Sequence, residues 1–177
     1  MRPSVLLLVL TAACGRDMRE PDPRAADRAP APAADSAAAQ RTWEHLGVPF
    51  DPESLRVGDT VAGLRVARLR FERAYDSSAV GSVWFAGTLR LRGRTMRHPD
   101  EGYTGPCFEA DSASAERLPR WKGDRRRPWF CFENPADATA RLGPASAPRA
   151  AEITVDRFTA HRNLSDAVNE GRLVAVH

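Results

Sequence analysis

The side chains able to do chemistry are few and dispersed. Four histidines stand at His45, His98, His161 and His177, far apart along the chain. His98 stands beside two carboxylates, Asp100 and Glu101, but it reads as a surface-loop residue, and a single imidazole in a loop is a poor metal site. Lys122 is the only lysine among 26 Lys and Arg residues. A phosphate-cradling Gly-rich loop ending in Lys is therefore excluded, as is a Ser-x-x-Lys nucleophile. The sequence also contains no Gly-x-Ser-x-Gly elbow and no His-Glu-x-x-His zinc pair. Asp100, Glu101, Glu109 and Glu133 could converge from different strands as general acid and base. That leaves a hydrolase as an alternative, with no local motif behind it. The expectation is no enzyme, no metal and no cofactor.

The one concentrated patch runs from Arg117 to Trp129. It carries Arg117, Arg120, Lys122, Arg125, Arg126 and Arg127, interleaved with Trp121 and Trp129, and only Asp124 opposes them. Bases alternating with aromatic rings suit anionic head groups or a strand-like polyanion. These eight residues are the candidate ligand contacts if the loop projects. The alternative is a solvated hairpin tip with Trp121 tucked onto the domain. Arg90, Arg92 and Arg94, on one face of a strand, read as a wet outer surface.

The N-terminus carries a sharper signal. Met1-Arg2-Pro3 is a short basic start, Ser4 to Ala13 is apolar, and Thr11-Ala12-Ala13-Cys14 closes it. An apolar block of about ten residues is the length of a signal-peptide core and too short to span a bilayer. Small residues directly before a cysteine resemble the lipobox of bacterial lipoprotein precursors, although Thr11 stands where that family most often has Leu. The resemblance covers about 15 residues. It implies a signal peptide over 1–13, cleavage after Ala13, and acylation of Cys14 with palmitate-type chains that hold the protein on a bilayer. Gly15 in place of an aspartate favours the outer over the inner membrane.

With Cys14 taken by lipid, Cys107 and Cys131 remain, each in a Cys-Phe-Glu tripeptide. Beyond the cytoplasmic membrane, two such cysteines on neighbouring strands imply a disulfide. Closing a loop of about 25 residues is worth roughly 3.5 kcal/mol in the chain-entropy account.

These groups must be positioned by a chain of 177 residues, room for one ordinary domain. Residues 14–41 are rich in Ala and Pro and, apart from Met18, hold no large apolar side chain, so they read as a disordered tether. From 42 to 177 large apolar residues return and define a single β-rich domain. Asp51-Pro52-Glu53 looks like a helix start. Val61 to Phe71 reads as a strand whose facing switches near Ala67-Arg68, implying a bulge. Ser82 to Arg94 is the cleanest alternation, with Gly87 and Gly93 where a strand coils sharply. Shorter strands are predicted at Cys107–Ala110, Trp129–Glu133, Ala151–Ala160 and Arg172–Val176. A helical turn is expected at Ser165. Five or six strands with few helices predict a small antiparallel barrel, coarsely similar to the OB type. A β-sandwich is the alternative.

The sequence thus describes a lipid-anchored, extracytoplasmic binding or interaction module of the bacterial cell envelope, expected to be monomeric. Its partners are the bilayer, through Cys14, and an anionic surface or envelope protein. A polyanion- or nucleic-acid-binding role for 117–129 is the second reading, and export argues against nucleic acid as a partner.

Overall fold

The computed structural model describes residues 45–74, 79–98, 103, 105–162 and 168–177. The expected signal peptide 1–13, Cys14, the tether 14–41, Asp100, Glu101 and the turn at Ser165 lie outside them.

The domain is mainly β. Its strands are β1 (Val48–Phe50), β2 (Thr60–Val61), β3 (Leu64–Arg73), β4 (Ala79–Ala86), β5 (Thr88–Arg97), β6 (Pro106–Ala110), β7 (Pro119–Trp121), β8 (Trp129–Phe132), β9 (Ala150–Arg162) and β10 (Asn169–Val176). Among the described residues, two short helices, α1 (Ser112–Ala115) and α2 (Pro135–Leu142), lie on either side of β7 and β8 in the chain. Strands β5, β6, β8, β10 and β9 pair in that order, and β9 returns to β5, which closes a ring. All these pairings are antiparallel except β8 with β10. Taken in chain order, the ring reads first, second, third, fifth, fourth, with α2 following the third strand. This is an OB-like barrel. Strands β4, β3 and β2 continue the sheet beyond β9.

The alternation in the sequence builds this directly. Val83, Phe85, Leu89 and Leu91 all point inward and are buried. Gly87, at φ +123°, breaks the run between β4 and β5, a conformation L side chains rarely adopt. The bulge in β3 is present: Val66 pairs with Phe85, and the next partners are Arg68 and Trp84. A second irregularity falls in β9 at Arg157, whose φ is +52°. There β9 changes partner from β5 to β4.

The barrel is filled by side chains. Phe130 meets Phe158 at 5.8 Å and Phe132 at 5.6 Å, both edge-on, an arrangement ring quadrupoles favour. Phe108, Ile153 and Val155 complete the packing, all fully buried.

Two local expectations need correction. The stretch after Asp51 forms a turn rather than a helix. Ser54 N–H donates to the Asp51 carbonyl, and Glu53 N–H donates to Asp51 Oδ1. The chain is then drawn into the sheet, because Gly58 N–H donates to the Val66 carbonyl and Val66 N–H to that of Asp59. Helix α2 was not anticipated. Pro135 opens it, and Ala138 and Leu142 are its buried face. Asn134 faces β10 instead of capping the helix: its amide donates to the Leu173 carbonyl and accepts from Leu173 N–H, at 3.0 and 2.9 Å.

Candidate functional site

The Cys-Phe-Glu tripeptide at 107–109 shows how strand geometry sorts chemistry. On β6, Phe108 points into the barrel while Cys107 and Glu109 share the outer face. Cys107 lies opposite Cys131 of β8, and the two form a buried disulfide with Cα atoms 4.0 Å apart.

Glu109 lies opposite Arg94 of β5. It is only 6% exposed, which for a carboxylate demands compensation. Arg94 supplies it in a fork, Nε and Nη2 each 2.7 Å from Oε2. Arg127 brings Nη2 to 2.8 Å from Oε1. That second contact is an ion pair without hydrogen-bond alignment, so Oε1 is buried with its hydrogen-bonding capacity unused. One carboxylate thereby holds two guanidinium groups side by side. On the other side of β5, Glu152 of β9 accepts from Arg90 Nε at 2.6 Å and Arg92 Nε at 3.0 Å. Bonds from those two arginines hold the Glu152 carboxyl below the usual carboxylate range. Opposite charges facing each other across strands stabilise the pairing.

All of these groups but Arg90 line an open pocket of about 750 Å³. Arg92, Arg94, Arg127, Glu109 and Glu152 are in its charged wall, and Ala110 and Ala151 are among its apolar lining. Asp111 and Ser112, at the start of α1, border it as well. Helix α1 is fixed in place: Asp111 Oδ1 accepts from Ser114 N–H, and Ser114 Oγ accepts from Arg92 N–H. An arginine already oriented by a carboxylate keeps further N–H donors for a ligand and needs little reordering to use them. The arrangement can hold an anionic oxygen group.

The segment 117–129 does not project as a continuous basic loop. Trp121 belongs to β7, is 1% exposed, packs on Phe50 at 5.4 Å and donates Nε1–H to the Ala160 carbonyl. The core captures the ring, in line with the alternative given for it. Arg120 is a strut: Nη1 donates to the Leu46 carbonyl and Nη2 to that of Arg126. Arg126 is held by Asp124 and donates to the His161 carbonyl. Trp129 is half-buried at the start of β8, its ring 5.4 Å from that of His98. Arg117, Lys122 and Arg125 are exposed. Of the eight residues, only Arg127 reaches the pocket.

His98 is also not the surface residue expected, being buried against Tyr103 and Trp129. Among the described residues no cluster of His, Cys, Asp or Glu is suited to a metal ion. Glu109 and Glu133 have separate partners, the latter paired with Arg157 at 3.7 Å and its carboxyl pushed up by burial. Sequence reasoning missed Arg92, Arg94, Glu109 and Glu152 as a site. The alternating arginines were visible, but the acids opposite them depend on register.

Comparison of the chain with protein-family models, with curated proteins and with solved structures finds no match.

Proposed function

We propose that this chain is a binding module of the bacterial cell envelope, anchored through acylated Cys14, whose arginine-rimmed pocket takes a small anionic ligand. The observation that carries the reading is Glu109: a buried carboxylate holding Arg94 and Arg127 together at the mouth of a pocket. The Cys107–Cys131 disulfide supports an oxidising compartment outside the cytoplasm. The Ala13-Cys14 junction supports the anchor.

The test uses full-length protein made with its own leader and solubilised in detergent. A fatty-acid probe should label the wild type and leave Cys14→Ser unlabelled. Titration calorimetry with glucuronate and inorganic phosphate should give salt-sensitive binding, and glucose should give none. Arg92→Gln combined with Arg94→Gln should weaken the anions about tenfold or more. Equal labelling of both proteins would remove the anchor from the reading. Absence of anion binding at low salt would remove the pocket.

A further inference from the structure

The outer face of β4 and β9 carries a second constellation, at the other end of β9 from the arginine pocket. Ser82 lies opposite His161 in the β4–β9 register, with Ser82 Oγ 2.7 Å from His161 Nδ1. On the far side of the ring, Nε2 is 3.4 Å from Glu170 Oε2 on β10. The main chain of His161 is fixed as well: its backbone N–H donates to Asn169 Oδ1 at 2.9 Å, and its carbonyl accepts from Arg126. The Trp84 ring stands edge-on to the imidazole at 6.4 Å. Ser82 also lines a cleft of about 360 Å³ with Arg68, Arg70 and Trp84. Arg70 sits opposite Ser82 on the β3 side, and the Arg68 guanidinium lies 4.2 Å from the centre of the Trp84 ring.

We propose that Ser82 is the nucleophile of an acyl-transfer site for small carboxylic esters, beyond the binding role assigned to the pocket. His161 is its general base, and Glu170 is a positioning residue acting through His161. Glu170 selects the tautomer with hydrogen on Nε2, which leaves the Nδ1 lone pair facing the serine hydroxyl. The slightly long contact to Glu170 suits a resting site, where such bonds tighten as the imidazole takes a proton.

The chemistry balances on these groups and water. Ser82 Oγ bonds to the ester carbonyl carbon as its proton passes to Nδ1, and the carbonyl electron pair moves onto oxygen. The positive charge of Arg70 in the cleft stabilises that oxyanion. Collapse breaks the bond to the alkoxy group, which leaves with the proton from Nδ1. Water then attacks the acyl-serine, gives its proton to Nδ1, and the acid departs as Ser82 Oγ recovers that proton. Arginines on β3 favour esters bearing a negative charge near the carbonyl.

The experiment treats the disulfide-intact protein with a fluorophosphonate probe and, separately, with 4-nitrophenyl acetate. Peptide mapping should place the phosphonate on Ser82. Ser82→Ala should abolish labelling, and His161→Gln should lower labelling and ester turnover about a hundredfold or more. Glu170→Gln should lower kcat with KM unchanged, with circular dichroism and melting as in the wild type. A succinyl monoester should be cleaved faster than its neutral methyl counterpart. Phosphonate on another residue, turnover that survives Ser82→Ala, or no labelling above the heat-denatured protein would each overturn the proposal.

Discussion

Asp124 organises the segment that carries the concentrated basic patch. Its side chain is 8% exposed. It accepts from Arg126 N–H at 3.0 Å and from the Arg126 guanidinium, Nε to Oδ1 at 3.0 Å and Nη2 to Oδ2 at 2.8 Å. Burial opposes its charge, but the Arg126 bonds and the charges of Arg126 and Arg120 outweigh it and hold the carboxyl below its ordinary range. A carboxylate whose folded pKa is lowered contributes stability above its unfolded pKa and loses it as pH falls through the folded one. Asp124→Asn should therefore cost about 1–2 kcal/mol near neutral pH, discounted for the partly exposed Arg126. Urea titrations of the two proteins should converge as the medium is acidified. A gap that stays constant down to acid pH would show that the loss is not in the charge.

At this scale the sequence exposed composition but not company. The cysteine pair was legible, because two cysteines on strands expected to be neighbours read as a disulfide once export was expected. Glu109 was not, because its burial depends on Arg94 and Arg127 arriving from two other segments. Ser82 and His161 are 79 residues apart, and only the β4–β9 register makes them neighbours.

Elements were legible where apolar side chains alternate. The β3 bulge could be read because Leu64 and Val66 are followed by Leu69 and Phe71, a change of parity that only an extra residue explains. Strands β1 and β7, three residues each, are too short to show a period. Helix α2 buries only Ala138 and Leu142, too thin a stripe for its period to stand out. Its signs were local instead: Pro135 at the start, Asp137 in the first turn, Arg141 in the last, then Gly143. In β5, Gly93 was expected to permit coiling, and the reason proves to be space. A Cβ there would lie 2.1 Å from the Glu109 carbonyl oxygen and 2.9 Å from Ala110 Cα. Those are backbone atoms of the paired strand and cannot swing aside. Gly93→Ala should push β5 from β6 and cost about 3 kcal/mol. Hydrogen exchange should speed up across β6 first, and unchanged protection there would contradict this account.

The described domain is built around a ring of strands closed by hydrogen bonds, with one disulfide among the described residues. The disulfide joins β6 to β8, the second and third strands of the barrel, across a sequence separation of 24. The chain it encloses carries α1, β7 and Arg127, so the staple also confines the segment that walls one side of the pocket. In the unfolded state such a link removes entropy worth roughly 3.5 kcal/mol, a large share of the 5–15 kcal/mol typical of a domain. Other contacts join the same two strands: β6 and β8 pair through their backbones, and Phe108 packs on Phe130 at 5.8 Å. Replacing both cysteines by alanine should therefore lower stability by about 3 kcal/mol while leaving a folded barrel. Near-ultraviolet circular dichroism should keep its aromatic signal, and the urea midpoint should fall without loss of a single transition. Reduction of the wild type should move the midpoint by a similar amount, and reoxidation should restore it. A double variant with an unchanged midpoint would mean that the constraint on the unfolded chain is offset by strain in the folded one. A variant that loses its aromatic signal would mean that the barrel depends on the staple to close.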